Sequence, residues 1–164
     1  MSQAKRYTHL AALTGRENHL DSAYHAAFYL LSYDPDVYEV ACRFVTYDGI
    51  DFSGMKRSTR GFDERTRFVV DIAHNLFSYN STCKATPFEI SRLGYPLMEQ
   101  VCNALYIAAD QVRVVIHPDE NQKIVMELDA EPYQKTKRTH YMLEQLQESM
   151  MADMQQDEAT DLER

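Results

Sequence analysis

Thr86-Pro87-Phe88-Glu89 is suited to opening a helix and to little else. The threonine oxygen accepts from a backbone N–H left unpaired in the first turn, Glu89 reaches back to the N–H of Thr86, and Pro87 has no N–H to lose. Asp34-Pro35 repeats half of that signal. Proline that punctuates helix starts predicts a chain cut into short helices around one core. The fold class expected is therefore mainly α, a single compact helical domain of about five to six helices with one β-hairpin and a C-terminal amphipathic helix.

Hydrophobic periodicity supplies the elements. Leu20, Ala23, Tyr24, Ala27 and Leu31 recur at helical spacing between His19 and Tyr33, and Val37, Val40, Ala41, Phe44 and Val45 form a second stripe that Tyr47-Asp48-Gly49 breaks. Ile50 to Gly61 shows no period and reads as a mobile basic loop. Asp63 to Tyr79 is the clearest helix, with Phe68, Val69, Ile72, Leu76 and Tyr79 expected inward and Arg67, Asp71, His74 and Ser78 outward. Pro87 to Leu93 is a short helix ended by Gly94, and the next, opened by Pro96, is apolar on most sides and predicted to be the central one. Val112 to His117 and Ile124 to Leu128 flank a polar turn and predict the hairpin, which must pack on the helices, pair with a strand near Phe44, or join another chain. From Pro132 a last helix carries Met142, Leu143, Leu146, Met150 and Met154 on one side, with fraying expected beyond Gln155. The organisation read from the sequence is a helical body over 1–110, the hairpin over 111–130 and an acidic C-terminal helix over 131–164.

No stretch reaches the roughly eighteen consecutive apolar residues of a membrane helix, and Met-Ser-Gln-Ala-Lys-Arg leads into polar sequence without an apolar signal core. A cytoplasmic chain with no membrane partner is expected. Cys42, Cys83 and Cys102 are odd in number and show no ligand spacing, so they read as reduced thiols, two of them in the core.

The formal charge of −8 is unevenly placed. Residues 1–118 hold thirteen acids and twelve bases, whereas 144–164 hold seven acids against Arg164 alone. A neutral body argues against DNA binding, because phosphate contacts need a basic face, and the acidic end is directed to solvent or to a partner.

Tyr29-Leu-Leu-Ser-Tyr-Asp-Pro-Asp-Val-Tyr, Arg43-Phe-Val-Thr-Tyr-Asp and Ile72-Ala-His-Asn-Leu-Phe-Ser-Tyr, followed by the capped segment at Thr86, carry a family resemblance. The stretch of roughly 17–110 resembles small helical proteins of unassigned function from low-GC Gram-positive bacteria and their prophages or mobile elements. The resemblance implies no active-site residue and leaves residues 111–164 as a departure.

Two constellations could carry chemistry. Asp21 and His25 lie at i,i+4 on one predicted helix and Asp71 and His74 at i,i+3 on another, the spacing of zinc or another divalent transition metal held between two helices. Both pairs sit opposite the apolar stripes, where the ordinary alternative is a solvated face with local ion pairs. Lys56, Arg57, Arg60, Arg65 and Arg67 form a basic cluster that could hold an anion beside the start of the helix after Asp63, against the alternative of a solvated loop. There is no G-x-S-x-G, no P-loop, no H-E-x-x-H and no glycine-rich nucleotide turn. Catalytic residues and cofactors are accordingly expected to be absent. The reading that follows is a non-enzymatic cytoplasmic protein, self-associating or binding a protein partner through the hairpin and through Met142, Leu143, Leu146, Met150 and Met154. Its alternatives are a small metal-dependent, hydrolase-like enzyme with an Asp/His site, and an acidic nucleic-acid mimic of mobile-element origin.

Overall fold

The computed structural model describes residues 1–83 and 85–162, with side chains as far as residue 154. It is mainly helical, with eight helices and two small hairpins among the described residues. The helices are α1 (Gln3–Leu13), α2 (Ser22–Leu31), α3 (Pro35–Ala41), α4 (Phe52–Ser58), α5 (Glu64–Phe77), α6 (Pro87–Ser91), α7 (Leu97–Ala108) and α8 (Glu131–Leu162). Two compact units divide the chain, Met1–Asp129 and Ala130–Arg164.

Aspartate starts most of the helices in the first unit. The carboxylates of Asp21, Asp34, Asp51 and Asp63 accept from first-turn N–H groups of α2, α3, α4 and α5. Each such cap contributes about 1 kcal/mol. Ser2 does the same for α1, and Thr86 and Glu89 form the reciprocal capping box foreseen for α6. Much of the acidity of the body is thus spent on helix starts, where the helix dipole favours negative charge.

The core gathers around α2, whose Ala26 to Leu31 are all buried. The helix packs on both α5 and α7. Six consecutive buried residues mean contact on every side of the helix, so α2, and not α7, is central. On α7 Val101, Ala104 and Ile107 are buried while Met98 and Leu105 face solvent, because one face of that helix has no covering element among the described residues of its unit. The run of apolar residues on α7 marked composition and not position.

Three further expectations need correction. The helix count is eight instead of five to six, since α1 and α4 were not foreseen. The segment from Ile50 to Gly61, read as a mobile loop, contains α4, which buries Phe52, Gly54 and Met55. Three contacts at short spacing are too few to register as a period, yet they seat the helix on the core. The stripe continuing to Val45 breaks at Ala41, and Val45–Thr46 pairs with Gly49–Ile50 as a small hairpin, β1 and β2. Gly49, at φ 140°, takes the backbone conformation that Asp48-Gly49 signalled.

Gly54 allows α4 to lie against Phe44. A methyl group there would overlap the Phe44 ring and stand 2.5 Å from Asp51 Oδ2, the second oxygen of the carboxylate whose Oδ1 caps the same helix. Gly54→Ala is expected to cost about 1–3 kcal/mol through overpacking, despite the better helix propensity of alanine. Urea denaturation checks this, and an unchanged or raised midpoint would contradict it.

The second hairpin, β3 (Arg113–Pro118) and β4 (Ile124–Asp129), is antiparallel with Ile116 opposite Met126 and Val114 opposite Leu128. Those four side chains pack against the core, and β4 lies along α1. Its turn is held by the Asp119 carboxylate, which accepts from the N–H groups of Asn121 and Lys123 at 2.8 Å each.

In the second unit α8 is a single helix. Its backbone is helical to Leu162. The fraying expected beyond Gln155 falls partly on residues 163 and 164, outside the described residues.

Candidate functional site

The predicted metal ligands are each engaged elsewhere. Asp21 Oδ1 accepts from the N–H of Tyr24 at 3.0 Å as the cap of α2. His25, one turn on, receives the hydroxyl of Tyr7 at Nδ1, 2.5 Å away. Asp71 pairs with Lys56 at 2.7 Å, and His74 lies stacked on Phe52 with ring centroids 4.7 Å apart. Among the described residues no group of three or more His, Cys, Asp or Glu side chains stands together as a metal would require.

His25 nevertheless lines a cleft. A cavity of about 470 Å³ is walled by Leu20, Asp21, His25, Ile107, Asp110 and Arg113. A second, of about 290 Å³, shares His25 and Val114 with it and is lined also by Tyr7 and Ile116. Burial pushes the His25 pKa down, against smaller opposing effects of the Leu20 backbone and of Asp21 and Asp110. Burial pushes the Tyr7 hydroxyl up, so it stays protonated and donates. The imidazole is therefore neutral near pH ~7, with Nδ1 accepting from the Tyr7 hydroxyl and the ring donating to the backbone of Leu20. A base whose lone pair already holds a tyrosine proton has none to offer a substrate.

This geometry has a pH consequence. The folded state keeps His25 neutral, while the unfolded chain protonates it near about 6.5. Below that value the unfolded state binds more protons, so the stabilisation is fully present above pH ~6.5 and is lost as pH falls through the window beneath it. His74, lowered by burial first and by Lys56 second, acts in the same direction. The midpoint of urea unfolding is expected to fall between pH ~7 and ~5, and less steeply in His25→Gln. Equal slopes in the two proteins would remove His25 from the account.

The basic cluster is spread out. Lys56 is tied to Asp71, Arg57 and Arg60 are exposed at the end of α4, and Arg65 and Arg67 are exposed on α5. The start of α5, where an anion would sit, already holds a carboxylate. Asp63 accepts from the hydroxyl and N–H of Thr66 at 2.5 and 3.0 Å, and those bonds hold its pKa down. Arg65 instead borders a cleft of about 280 Å³ shared with Arg92, Glu64 and Glu89, where two carboxylates oppose the two guanidinium groups.

One contact escaped the sequence. Cys42, expected as a core thiol, is only half-buried, as are Cys83 and Cys102. Its Sγ lies 3.7 Å from Nδ1 of His9, which is also 2.6 Å from the hydroxyl of Tyr38. His9 and Cys42 come from different elements, and no spacing rule could have joined them.

The remaining feature is on α8. Met142, Leu143, Leu146, Met150 and Met154 are 54–65% exposed. At roughly 100° per residue they fall within about 120° of one another, on one face of the helix. No helix among the described residues is long and apolar enough to cross a membrane. No family model, no curated protein and no solved structure matches the chain.

Proposed function

We propose that this is a non-enzymatic protein of the cytoplasm whose working part is an association surface on α8. The observation that carries the reading is the stripe of five large apolar side chains, each more than half exposed. A stripe of that kind is stable in water when another protein surface covers it. Three methionines among the five suit a surface that adapts its shape to the partner. The second hairpin, offered by the sequence as a further interface, turns Val114, Ile116, Met126 and Leu128 to its own core, so the reading narrows to α8.

Light scattering on the full chain, on a chain ending at Asp129 and on Leu146→Asp tests it, together with capture on each as immobilised bait. Association of the full chain, with itself or with a captured protein, is expected to vanish in both variants. Association that survives the loss of α8 would overturn the reading.

A further inference from the structure

Three side chains with exchangeable protons meet on the first unit. His9 comes from α1, Tyr38 from α3, and Cys42 caps the C-terminus of α3 one turn beyond Tyr38. His9 Nδ1 stands 2.6 Å from the Tyr38 hydroxyl and 3.7 Å from Cys42 Sγ, and the hydroxyl is hydrogen-bonded to the thiol as well. Each group therefore touches the other two. His9 is exposed, so an imidazolium there keeps its hydration, and Cys42 is half-buried, within reach of a small molecule. Cys83 and Cys102 are half-buried too, but among the described residues neither is hydrogen-bonded to an imidazole.

We propose that Cys42 is a thiol–disulfide exchange site for a small organic disulfide, with His9 as the proton acceptor and Tyr38 as the positioning residue. A nucleophile and a base within hydrogen-bond reach are what such a step requires. The thiol proton passes from Sγ to Nδ1 of His9, while the Tyr38 O–H turns from Nδ1 to the sulfur. The thiolate then faces an imidazolium and accepts from a hydroxyl, and bonds of that kind are the strong ones. It attacks one sulfur of the disulfide, the S–S bond of the disulfide breaks, and a mixed disulfide forms on Cys42. The departing thiolate takes the proton from His9. One thiol and one disulfide have become another thiol and a mixed disulfide, so no further oxidant is consumed.

His25 shows why the sulfur matters. Its Tyr7 hydroxyl has no second acceptor among the described residues, and the ring stays blocked. At His9 the sulfur is that second acceptor. The position of Cys42 at the end of α3 sets the helix dipole against a thiolate, so the exchange depends on the two donors facing it.

The test uses the folded full-length chain near neutral pH and bis(2-hydroxyethyl) disulfide, an uncharged probe. Samples are quenched in acid over time and the three cysteine peptides are weighed by mass spectrometry. Cys42 is expected to take up the hydroxyethylthio group at least about tenfold faster than Cys83 or Cys102. His9→Gln and, separately, Tyr38→Phe are expected to slow Cys42 and to leave the other two rates unchanged. The same reaction in urea, where the three thiols should react alike, shows that the difference belongs to the fold, and circular dichroism confirms that each variant is folded. The comparison of the three cysteines in the wild type stands even where a variant does not fold. A Cys42 no faster than Cys83 and Cys102, or one whose rate His9→Gln leaves unchanged in a folded chain, overturns the proposal. A rate indifferent to Tyr38→Phe overturns the part given to the tyrosine.

Discussion

Replacing Arg6 with alanine is expected to lower stability by about 3–5 kcal/mol, close to the whole margin of many small domains. Arg6 is only 8% exposed, an unusual place for a guanidinium. Its Nε donates to the Ser32 carbonyl at 2.6 Å and Nη2 to the Tyr33 carbonyl at 2.7 Å, while Nη1 donates to the carbonyl of Met1. Ser32 caps the C-terminus of α2, where the last carbonyls of a helix have no intrahelical donor and carry the negative end of its dipole. One side chain of α1 therefore satisfies the end of the central helix and holds the start of the chain against it. Charged hydrogen bonds of this kind are worth about 1.5–3 kcal/mol each, and their loss strands buried acceptors. Arg6→Lys should recover only part of the loss, because an ammonium cannot reproduce the planar fork. Chemical denaturation of both variants is the check, and a cost under about 1 kcal/mol for Arg6→Ala would refute the role.

Phe28→Ala should cost about as much, roughly 3–5 kcal/mol, by a different route. The Phe28 ring is fully buried on α2, tilted against Tyr24 with centroids 5.7 Å apart, in the helix that packs on both α5 and α7. Truncation there leaves a cavity among three helices whose axes are pinned by other contacts, so the surroundings cannot close over it. Phe28→Leu, which keeps most of the volume, should lose much less. The expected signature is a lowered denaturation midpoint with an unchanged denaturant slope, since the folded and unfolded states keep their extent. If alanine and leucine at this position behave alike, the cavity argument fails.

Helix starts were legible before any coordinates because capping is local. Asp34-Pro35 and Thr86-Pro87-Phe88-Glu89 carry donor, acceptor and ring within a few residues, and α3 and α6 begin where they say. The hairpin of β3 and β4 was legible for the same reason, from β-branched runs around a polar turn. The short helices α1 and α4 were not, since five buried residues in one and three in the other look like noise until the neighbours that bury them are in place.

The residues that attracted chemical interest divide along the same boundary. His25 and His74 share helical spacing with aspartates, but sequence spacing says nothing of what stands across from a side chain. Tyr7 stands across from the one and Phe52 lies under the other. Likewise Asp63 fills with its own carboxylate the helix start that the nearby arginines made attractive for an anion.

By itself the sequence determined the helical class, the caps, the second hairpin and the acidic C-terminal end, all of which depend on residues within a few turns of one another. Only the tertiary structure decided that α2 is the centre, that Arg6 closes its end and that Cys42 meets His9. Those outcomes depend on which surfaces exclude water together, and burial is a property of partners far apart in the chain.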